Sequence, residues 1–585
     1  MALSNRDIAD IFETISDMLQ LKGENLHRYL SYRRAGETIR ELPRDLRAIA
    51  AEDGLTDIDN IGKTLAEKII EMLETDQLEF YEKLKAEVPI GVIAVMRLNG
   101  VGPKKAKLFW DELDITTIEA LQTAAQAGKL AGLKGMGAKS EQKVLEAIEA
   151  STRQTGRMPL GKALPAAQKI AAMLNDIDTV LRVEIAGSIR RARPTIGDVD
   201  ILVAVAEMAH SAEIMQAFVS MENVARILGQ GETKSSVELL SGLQVDVRVL
   251  TQEKWGTALQ YFTGSQAHNV KVRQIALSKG YSLNEHALSP VDAQGDILPD
   301  ADKTLCDTEE AVYEALGLRW IAPELREDSG EIEAAQADKL PKLITLEDMR
   351  ADLHMHTTYS DGIASVLEMA EAASARGREY IVITDHSRSL GIANGLSIER
   401  LMQLGEEIHA VNAQLDGKIR VFWGTEMDIN ADGSLDYPDD VLAQLDFVIA
   451  SLHTSLRQGR EQITERLLNA IRNPHVDLIG HPRAQLISER EPVDADMDAV
   501  LQAALEHKTV LEINANPSRL DLEAAYARRA VDMGILLAIN TDAHMPEHMD
   551  LMHYGILTAR RGWVQAESVI NTWPLDKFTA WLKSR

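Results

Sequence analysis

Cysteine is almost absent from this chain of 585 residues, in which Cys306 is the only one. A single thiol cannot form an intramolecular disulfide, which fits a reducing compartment. Apolar runs of transmembrane length and a leader of the signal-peptide type are missing too. We therefore expect a soluble, cytoplasmic protein without a membrane partner. The length exceeds what one hydrophobic core supports, so three or more domains are expected.

An excess of positive charge is also missing, because the formal net charge is −28. This argues at first sight against a nucleic-acid partner. The net negative charge is distributed unevenly, with −10 in residues 1–320 and −18 in residues 321–585. Basic clusters remain at residues 28–34, 104–107 and 190–193. On charge alone a solvated helix face is the favoured explanation of such clusters, so charge alone does not predict DNA binding.

Residues 187–200 have the pattern of a nucleotidyl-transfer site. Asp198 and Asp200 alternate on a predicted strand, so their carboxylates share one face and suit Mg²⁺ or Mn²⁺. Asp246, on a second alternating strand, is the expected third carboxylate. The predicted phosphate-binding groups upstream are Gly187, Ser188, Arg190 and Arg191. An ordinary surface turn is the alternative, which the preceding glycine, serine and arginines disfavour.

Residues 1–150 have an amphipathic helical pattern with three glycine turns, which predicts helix-hairpin-helix motifs. Glycine lets the backbone approach a phosphate, while amides at the next helix N-terminus point toward it. Such contacts hold DNA without reading its sequence. The candidate contact residues are Gly62, Gly100, Gly102, Lys104, Lys105, Gly135 and Gly137. A helix-end glycine is often only structural, and the first turn, with Asn60 as its leading residue, fits least well.

The C-terminal part repeats a strand-like apolar run followed by an amphipathic helix, and polar residues follow the runs. This predicts a β/α barrel with its site at the C-terminal ends of the strands. The nine candidate metal ligands are His354, His356, Asp361, His386, Glu426, His453, His481, Asp542 and His544. Mixed imidazole and carboxylate donors favour Zn²⁺, Mn²⁺ or Fe²⁺ and metal-assisted phosphoester hydrolysis. Any one histidine alone is better explained as a core residue.

Together these motifs resemble the bacterial family X DNA polymerases, in which a DNA polymerase beta-like core is joined to a PHP (polymerase and histidinol phosphatase) domain. The resemblance implies a multidomain α/β protein: helical helix-hairpin-helix domains, an α+β nucleotidyltransferase palm with a thumb, and a distorted β/α barrel. The implied boundaries are 1–88 for a lyase-like DNA-binding domain, 89–152 for a helix-hairpin-helix domain, 153–252 for the palm, 253–322 for the thumb, 323–348 for a linker and 349–585 for the PHP domain.

Further site residues are implied by the resemblance alone. Arg157 takes the place of a triphosphate-contacting arginine, and Arg273 that of a residue on the template side. The nucleotide-binding turn is matched by Tyr261, Phe262, Gly264 and Asn269. Lys68 takes the place of the Schiff-base lysine that removes a 5′-deoxyribose phosphate, with phosphate contact as its alternative role. Gln266 and Ala192 depart from the aspartate and the glycine usual in the family.

In the PHP domain the resemblance implies up to three metal ions. One is held by His354, His356, Glu426 and Asp542, a second by Asp361, His386 and His544, and a third by Glu426, His453 and His481. Intact ligands imply a Mn²⁺-dependent 3′-to-5′ exonuclease. Apurinic-site endonuclease and 3′-end cleaning are related activities.

The resulting hypothesis is a monomeric DNA repair polymerase that fills short gaps and trims 3′ ends. Its partners would be gapped or primer-template DNA and dNTPs. One rival is a histidinol-phosphatase-like phosphoesterase with an inactive polymerase region. The other is a DNA-binding scaffold without chemistry, which is disfavoured because clustered like charges are costly without metal.

Overall fold

Two compact units make up the chain, residues 1–155 and residues 156–585. The first is helical, whereas the second combines sheets and helices. No helix within the described ranges has the length and apolar character needed to cross a membrane. The structure is a computed structural model that describes residues 3, 5–42, 44, 46–98, 100–153 and 157–585.

In the first unit, short helices pack their apolar faces on one core. Phe12 and Tyr32 meet edge to face there with ring centroids 5.5 Å apart. Asp17 is 4% exposed and is held by Arg33 and Arg97 at 2.6 and 2.7 Å, which ties separate helices together. The described helices are α1 (Asn5–Leu21), α2 (Leu26–Glu41), α3 (Leu46–Ala51), α4 (Lys63–Thr75), α5 (Glu79–Glu87), α6 (Ile90–Met96), α7 (Gly102–Leu113), α8 (Ile118–Gln126) and α9 (Ala138–Arg153).

The second unit begins with the palm, a five-stranded sheet that carries helices. Its elements are β1 (Met158–Pro159), α10 (Leu160–Asn175), β2 (Val180–Ile185), α11 (Gly187–Arg190), β3 (Thr195–Ile196), β4 (Asp198–Val205), α12 (Ser211–Val219), β5 (Val224–Gln230), β6 (Lys234–Leu239) and β7 (Gln244–Thr251). The strand order is β2-β4-β7-β6-β5, and only the central pair β4–β7 is parallel. Apolar residues alternate along both central strands, which leaves their polar residues on one face.

The thumb follows, with its own small core around Val272 and Tyr313. Its elements are α13 (Trp255–Thr263), α14 (Gln266–Ser278), β8 (Tyr281–Leu283), β9 (Leu288–Pro290) and α15 (Glu309–Ala315). The single cysteine, Cys306, is buried in this core.

Residues 323–348, predicted as a linker, contain both buried and exposed stretches. Arg326 and Glu331 are both 0% exposed. Arg326 contacts Glu309 at 2.5 Å, and Glu331, in α16 (Glu331–Gln336), contacts His268 at 2.7 Å. Part of the polar composition of this segment therefore belongs to buried ion pairs, which sequence reading does not distinguish from solvent exposure.

The C-terminal part is the predicted barrel. Seven parallel strands pair in sequence order, and an isolated parallel bridge between Met355 and Ala543 joins the ends of the first and last strands. The strands are β10 (Ala351–Asp352), β11 (Tyr380–Ile383), β12 (Arg420–Asp428), β13 (Phe447–Ser451), β14 (Leu478–Ile479), β15 (Val510–Asn514) and β16 (Leu537–Asn540). The helices are α17 (Val366–Ala375), α18 (Ile398–Leu415), α19 (Asp439–Leu442), α20 (Arg460–Arg472), α21 (Met497–His507), α22 (Ala524–Met533), α23 (Met552–Arg561) and α24 (Leu575–Leu582).

The palm and the barrel share apolar packing. Leu520 and Tyr554 of the barrel are buried in the same cluster as Leu160 of the palm. Gly161 lies so close to Pro517 that an added Cβ would come within 2.4 Å of the proline Cβ. The two halves of this unit are therefore in direct contact beside α10.

Candidate active sites

The three predicted aspartates lie on the adjacent central strands of the palm. Asp198 begins β4, and Asp200 is the direct cross-strand neighbour of Asp246 on β7. Lys234 Nζ contacts Asp246 Oδ2 at 2.6 Å, and Gln244 Nε2 donates to Asp246 Oδ1 at 3.0 Å. The strand period of two thus brings the carboxylates to one place on the sheet, as the sequence predicted.

The carboxylates have different electrostatic environments. Burial, followed by the charges of Asp198 and Asp246, raises the pKa of Asp200 to about 6. Burial also opposes ionisation of Asp246, but hydrogen bonds from Lys234, Gln244 and Ser236 bring its pKa below the usual value. A carboxylate that neighbouring negative charges destabilise favours a divalent cation, so the donor set fits Mg²⁺ or Mn²⁺.

Gly187 packs directly on the central carboxylate. Its φ is +66°, and an added Cβ would lie 2.9 Å from Asp200 Oδ2. The preceding amide of Ala186 donates to the main-chain oxygen of Asp200 at 2.8 Å. Glycine is therefore needed here for both backbone conformation and close approach. Ala192, which replaces a family glycine, adopts φ +53° and bears the strain that glycine avoids.

Three arginines form a cationic group at the start of β4. Arg157 donates to Thr195 from Nε at 3.0 Å and from Nη2 at 2.6 Å. Burial, and then the charges of Arg193 and Arg191, lower the pKa of Arg157, whereas Asp198 opposes this effect. Guanidinium groups that repel one another beside a carboxylate site fit a polyanionic ligand such as a triphosphate.

Arg190 and Arg191, both predicted to contact phosphate, have protein partners in this structure. Its guanidinium makes a two-point contact with Glu309, both bonds at 2.8 Å, and donates to Thr263 Oγ1 at 2.7 Å. Arg191 donates from Nε to Glu327 at 3.1 Å and from Nη1 to the main-chain oxygen of Thr263 at 2.5 Å. Arg190 therefore links the palm to the thumb through its contacts with Thr263 and Glu309.

The turn between α13 and α14 carries the predicted nucleotide-binding residues. Tyr261 and Phe262 meet edge to face at 5.1 Å, and Arg248 Cζ lies 4.4 Å from the centre of the Phe262 ring. Asn269 is 8% exposed and donates to the main-chain oxygen of Tyr261 at 2.7 Å. Gly264 has φ +67° and lies against the Arg191 guanidinium. Arg273 follows one turn later and donates to the main-chain oxygen of Asn269 at 3.3 Å.

The glycine turns of the first unit expose their backbones. A Cβ added at Gly62, Gly100, Gly102, Gly135 or Gly137 would meet nothing within 4 Å. Three of the five have positive φ, which explains glycine there. Gly62 and Gly137 have neither positive φ nor a close neighbour, so the chain itself does not require glycine at these two positions. Lys104 is exposed, whereas Lys105 Nζ donates to the main-chain oxygen of Gly100 at 2.7 Å.

Lys68 lies on an aromatic ring in the same unit. Its Nζ is 4.4 Å from the centre of the Phe80 ring, and Arg28 Cζ is 5.7 Å from the same centre. The Tyr32 ring is nearly parallel to that of Phe80, with the two ring centroids 6.0 Å apart. Two cations thus share one aromatic ring near the surface of α2 and α4.

All nine predicted ligands of the barrel lie at one end of its strands. Glu426 is central: Oε1 lies 3.2 Å from His453 Nε2 and 3.0 Å from His481 Nε2, and Oε2 lies 3.0 Å from His386 Nδ1. The donor atoms within 4.8 Å of one another form three groups: His356 with Asp361, His386 and His544; His354 with His356 and Asp542; and His386 with Glu426 and His453. His356 and His386 thus each belong to two of these groups.

The donor set fits divalent metal ions. Among the described residues, buried nitrogens of His354, His356, His386 and His481 make no hydrogen bond. Buried polar atoms are otherwise almost always paired, so these nitrogens are placed for a ligand. Burial, and then the charge of His386, lower the pKa of His356 to about 3, so its ring is neutral. Although burial opposes ionisation of Glu426, the surrounding imidazoles hold its pKa well below the usual value.

Several supporting residues escaped sequence reasoning. Glu512 accepts from His354 Nδ1 at 2.8 Å and from the amide of His481 at 2.7 Å. Asp428 faces His453 Nδ1 at 3.1 Å. Such carboxylates fix the ring orientation of metal-binding histidines. Glu512 could have been found, because it is a lone carboxylate within the apolar strand β15 (Val510–Asn514). Lys234, which faces Asp246, gave no such signal.

A palm with three carboxylates on adjacent strands and a barrel of imidazole and carboxylate donors define a nucleotidyl-transfer protein joined to a metal-dependent phosphoesterase. Comparison with protein families agrees over most of the length. The matches are a helix-hairpin-helix domain at 3–78, a SAM-like helix-hairpin-helix tandem at 92–150, DNA polymerase beta palm at 157–255, DNA polymerase beta thumb at 258–327 and a PHP domain at 352–516.

Relatives match the whole chain or the barrel alone. The DNA polymerase/3′-5′ exonuclease PolX of Bacillus subtilis (strain 168) is 39% identical over 583 residues, 99% of this chain and 100% of that protein. A probable phosphatase of Thermoanaerobacter sp. (strain X514) is 31% identical over 246 residues, 40% of this chain and 94% of that protein. The chain belongs to the bacterial family X DNA polymerases that carry a C-terminal PHP domain.

Proposed function

We propose that this chain is a DNA polymerase that fills short gaps in DNA repair, and that its PHP domain is a 3′-to-5′ exonuclease. The proposal depends most on one observation, the cross-strand pairing of Asp200 with Asp246 beside Asp198. In this proposal the protein acts as a monomer, and its substrates are dNTPs and gapped or primer-template DNA. The full-length relative is named for both activities, whereas the phosphatase relatives match only the barrel.

In the polymerase site the chain's own groups bind and orient the nucleotide. Arg157, Arg191 and Arg193 bind triphosphate oxygens, together with the backbone amides and hydroxyl of Gly187 and Ser188. Divalent Mg²⁺ or Mn²⁺ held by the three aspartates supplies charge neutralisation when bound. Lys234 keeps Asp246 ionised, so this carboxylate accepts the proton of the primer 3′-hydroxyl. Tyr261 and Phe262 form the platform for sugar and base, with Asn269 and Arg273 behind them.

In the PHP site the nine ligands would hold up to three ions of Mn²⁺, Zn²⁺ or Fe²⁺. Proximity supports a distribution in which His356 joins the group of Asp361 and His544, while His386 joins Glu426 and His453. Bound ions supply Lewis-acid activation for phosphoester hydrolysis. Glu512 and Asp428 orient His354 and His453, which keeps the ligand rings in place without metal-dependent rearrangement.

The glycine turns are proposed to hold the DNA on either side of the gap. Gly62 and Gly137 support this best, because each directly precedes a helix and has open space at its Cβ position, so a DNA backbone can approach the amides of the helix start. Net negative charge elsewhere does not oppose such local contacts, since the exposed amides act over a few ångströms.

The polymerase and nuclease assignments are tested on one gapped DNA substrate with Mg²⁺ or Mn²⁺. Asp198→Ala with Asp200→Ala is expected to abolish primer extension and leave 3′-to-5′ degradation. His356→Ala is expected to do the opposite. Asp178→Ala, an exposed aspartate before β2, is the matched control and keeps both activities. Extension that survives the loss of both aspartates would contradict the polymerase assignment.

A 5′-deoxyribose phosphate lyase activity is proposed for Lys68. The chemistry requires a nucleophilic amine, and Lys68 Nζ is the amine that lies on the Phe80 ring beside Arg28. Borohydride trapping on a 5′-deoxyribose phosphate end measures the Schiff base directly. Trapping that is undiminished in Lys68→Ala would exclude this lysine, and Lys83→Ala on the exposed face of α5 serves as control.

A further inference from the structure

Arg519 brings a positive charge to the PHP site, where its only ion pair among the described residues is a long one with Asp542. Its Nη1 is buried and has no hydrogen-bond partner among the described residues, although the side chain as a whole is 17% exposed. Its Nε lies 3.8 Å from Asp542 Oδ2, which is beyond hydrogen-bond distance. The same guanidinium is close enough to His481 to act on its ring electrostatically. No predicted or proposed role so far uses this residue.

The backbone of Arg519 is fixed on both sides. Its amide donates to the main-chain oxygen of Asn516 at 2.7 Å, and its own oxygen accepts from Gln485 Nε2 at 2.8 Å. Pro517 packs against Gly161, and Leu520 is buried in the palm cluster. The main chain is thus well anchored, whereas the side-chain tip has only the long contact with Asp542 and leaves Nη1 without a hydrogen bond among the described residues.

Neutralising Asp542 does not explain this arrangement. Asp542 has nearer partners, with His356 Nε2 at 3.1 Å from Oδ1 and Asn514 Nδ2 donating to Oδ2 at 3.2 Å. The nine ligands include only three carboxylates, whose charge two divalent ions already exceed. A guanidinium beside such a centre is repelled unless an anion binds between them.

We propose that Arg519 binds a non-bridging oxygen of the substrate phosphodiester in the PHP site. Arginine presents several N–H donors in a fixed fork that matches phosphate geometry, and a desolvated donor strengthens the interaction. The unpaired Nη1 donates to the phosphate oxygen, and the charge stabilises the additional negative charge of the transition state. This assignment rests on the proposed phosphoesterase function of the cluster.

The test uses thymidine 5′-monophosphate p-nitrophenyl ester, a small phosphodiester that bypasses DNA contacts of the polymerase domains. With the Mn²⁺-loaded full chain, Arg519→Ala is expected to lower kcat/KM about 10- to 100-fold, the effect of losing one charge-assisted hydrogen bond. Arg519→Lys is expected to recover part of this loss. Arg376→Ala, which removes an arginine paired with Asp550 on the barrel surface, is expected to change nothing.

Binding and metal content separate this role from a structural one. Calorimetric titration with inorganic phosphate is expected to show about 10-fold weaker binding to Arg519→Ala, with unchanged bound manganese and unchanged primer extension. Wild-type kcat/KM and phosphate affinity in Arg519→Ala would overturn the proposal. A loss of manganese parallel to the loss of activity would also overturn it, because Arg519 would then act through Asp542. Hydrolysis that survives His356→Ala would instead contradict the proposed function itself.

Discussion

Arg561, the last residue of α23 in the barrel, donates a hydrogen bond of 2.6 Å to the main-chain oxygen of Arg191 in the polymerase site. The same Nη1 donates to Glu327 at 2.9 Å, which also accepts from Arg191. Burial alone would raise the pKa of Glu327, but Arg561, Arg191 and Arg193 hold it at about 2. A residue of the nuclease half therefore braces the segment that we propose binds the triphosphate.

Arg561→Ala is expected to raise the KM for dNTP about 10-fold, since one charge-assisted hydrogen bond to the nucleotide-binding segment is lost. Steady-state primer extension at varied dNTP concentration measures this, with nuclease activity unchanged. Arg472→Ala, which breaks an exposed pair with Glu465 on α20, is the control. An unchanged KM would show that the brace has no effect on nucleotide binding.

Gly187→Ala is expected to reduce primer extension about 100-fold, because the new methyl group displaces the Asp200 carboxylate. Gly295→Ala provides a matched control: its φ is +89°, but its Cβ would meet nothing within 4 Å. Both variants therefore place alanine at a positive φ, but only Gly187→Ala also creates a clash with the Asp200 carboxylate. Equal losses in the two variants would attribute the effect to strain alone.

Gly62→Ala is expected to weaken binding of gapped DNA about fivefold, roughly the effect of one hydrogen bond to phosphate. Fluorescence anisotropy at fixed salt measures this affinity. Gly459→Ala is a close control, because Gly459 also precedes a helix without a side-chain cap and has open space at its Cβ. Any cost of alanine at a helix start then cancels, and equal affinity in both variants would argue against contact at Gly62.

Glu309→Gln is expected to destabilise the second unit in a pH-dependent way. Burial alone would raise the pKa of Glu309, but Arg326 and Arg190 hold it at about 2, below the ordinary value of 4.5. A depressed carboxyl pKa stabilises the fold above pH 4.5, and this stabilisation is lost as the pH falls toward 2.

The difference corresponds to about 3 kcal/mol at neutral pH. Urea unfolding at pH 7 and at pH 4 measures it, and the gap between wild type and Glu309→Gln should narrow at the lower pH. Glu314→Gln, an exposed position on the same helix, is expected to change neither curve. A gap that stays constant with pH would mean that packing, not charge, is lost.

The sequence predicted those features that depend on local periodicity. Asp198 and Asp200 share a face because strands alternate, and the nine barrel ligands follow strand ends because parallel strands end at one edge. The fold class followed from the same patterns together with the family resemblance. The domain boundaries, the site roles and the lyase lysine stay predictions.

Features set by distant pairing could not be predicted. Glu309 lies 119 residues from Arg190 and yet binds its guanidinium, a contact that the local pattern around the arginine pair does not indicate. Lys234 reaches Asp246 only through the register of β6 on β7. The burial of Arg326 and Glu331, within the segment predicted as a linker, likewise depends on the distant partners Glu309 and His268.

The packing of Leu520 and Tyr554 in the palm cluster also constrains how this protein can change over time. A barrel removed from the chain would leave an apolar face uncovered on the palm, and a substituted barrel would have to reproduce the shape that receives Gly161. We therefore expect the polymerase core and the barrel to be inherited together. Loss of the nuclease activity should occur by substitution of the metal ligands, while the fold of the barrel is kept.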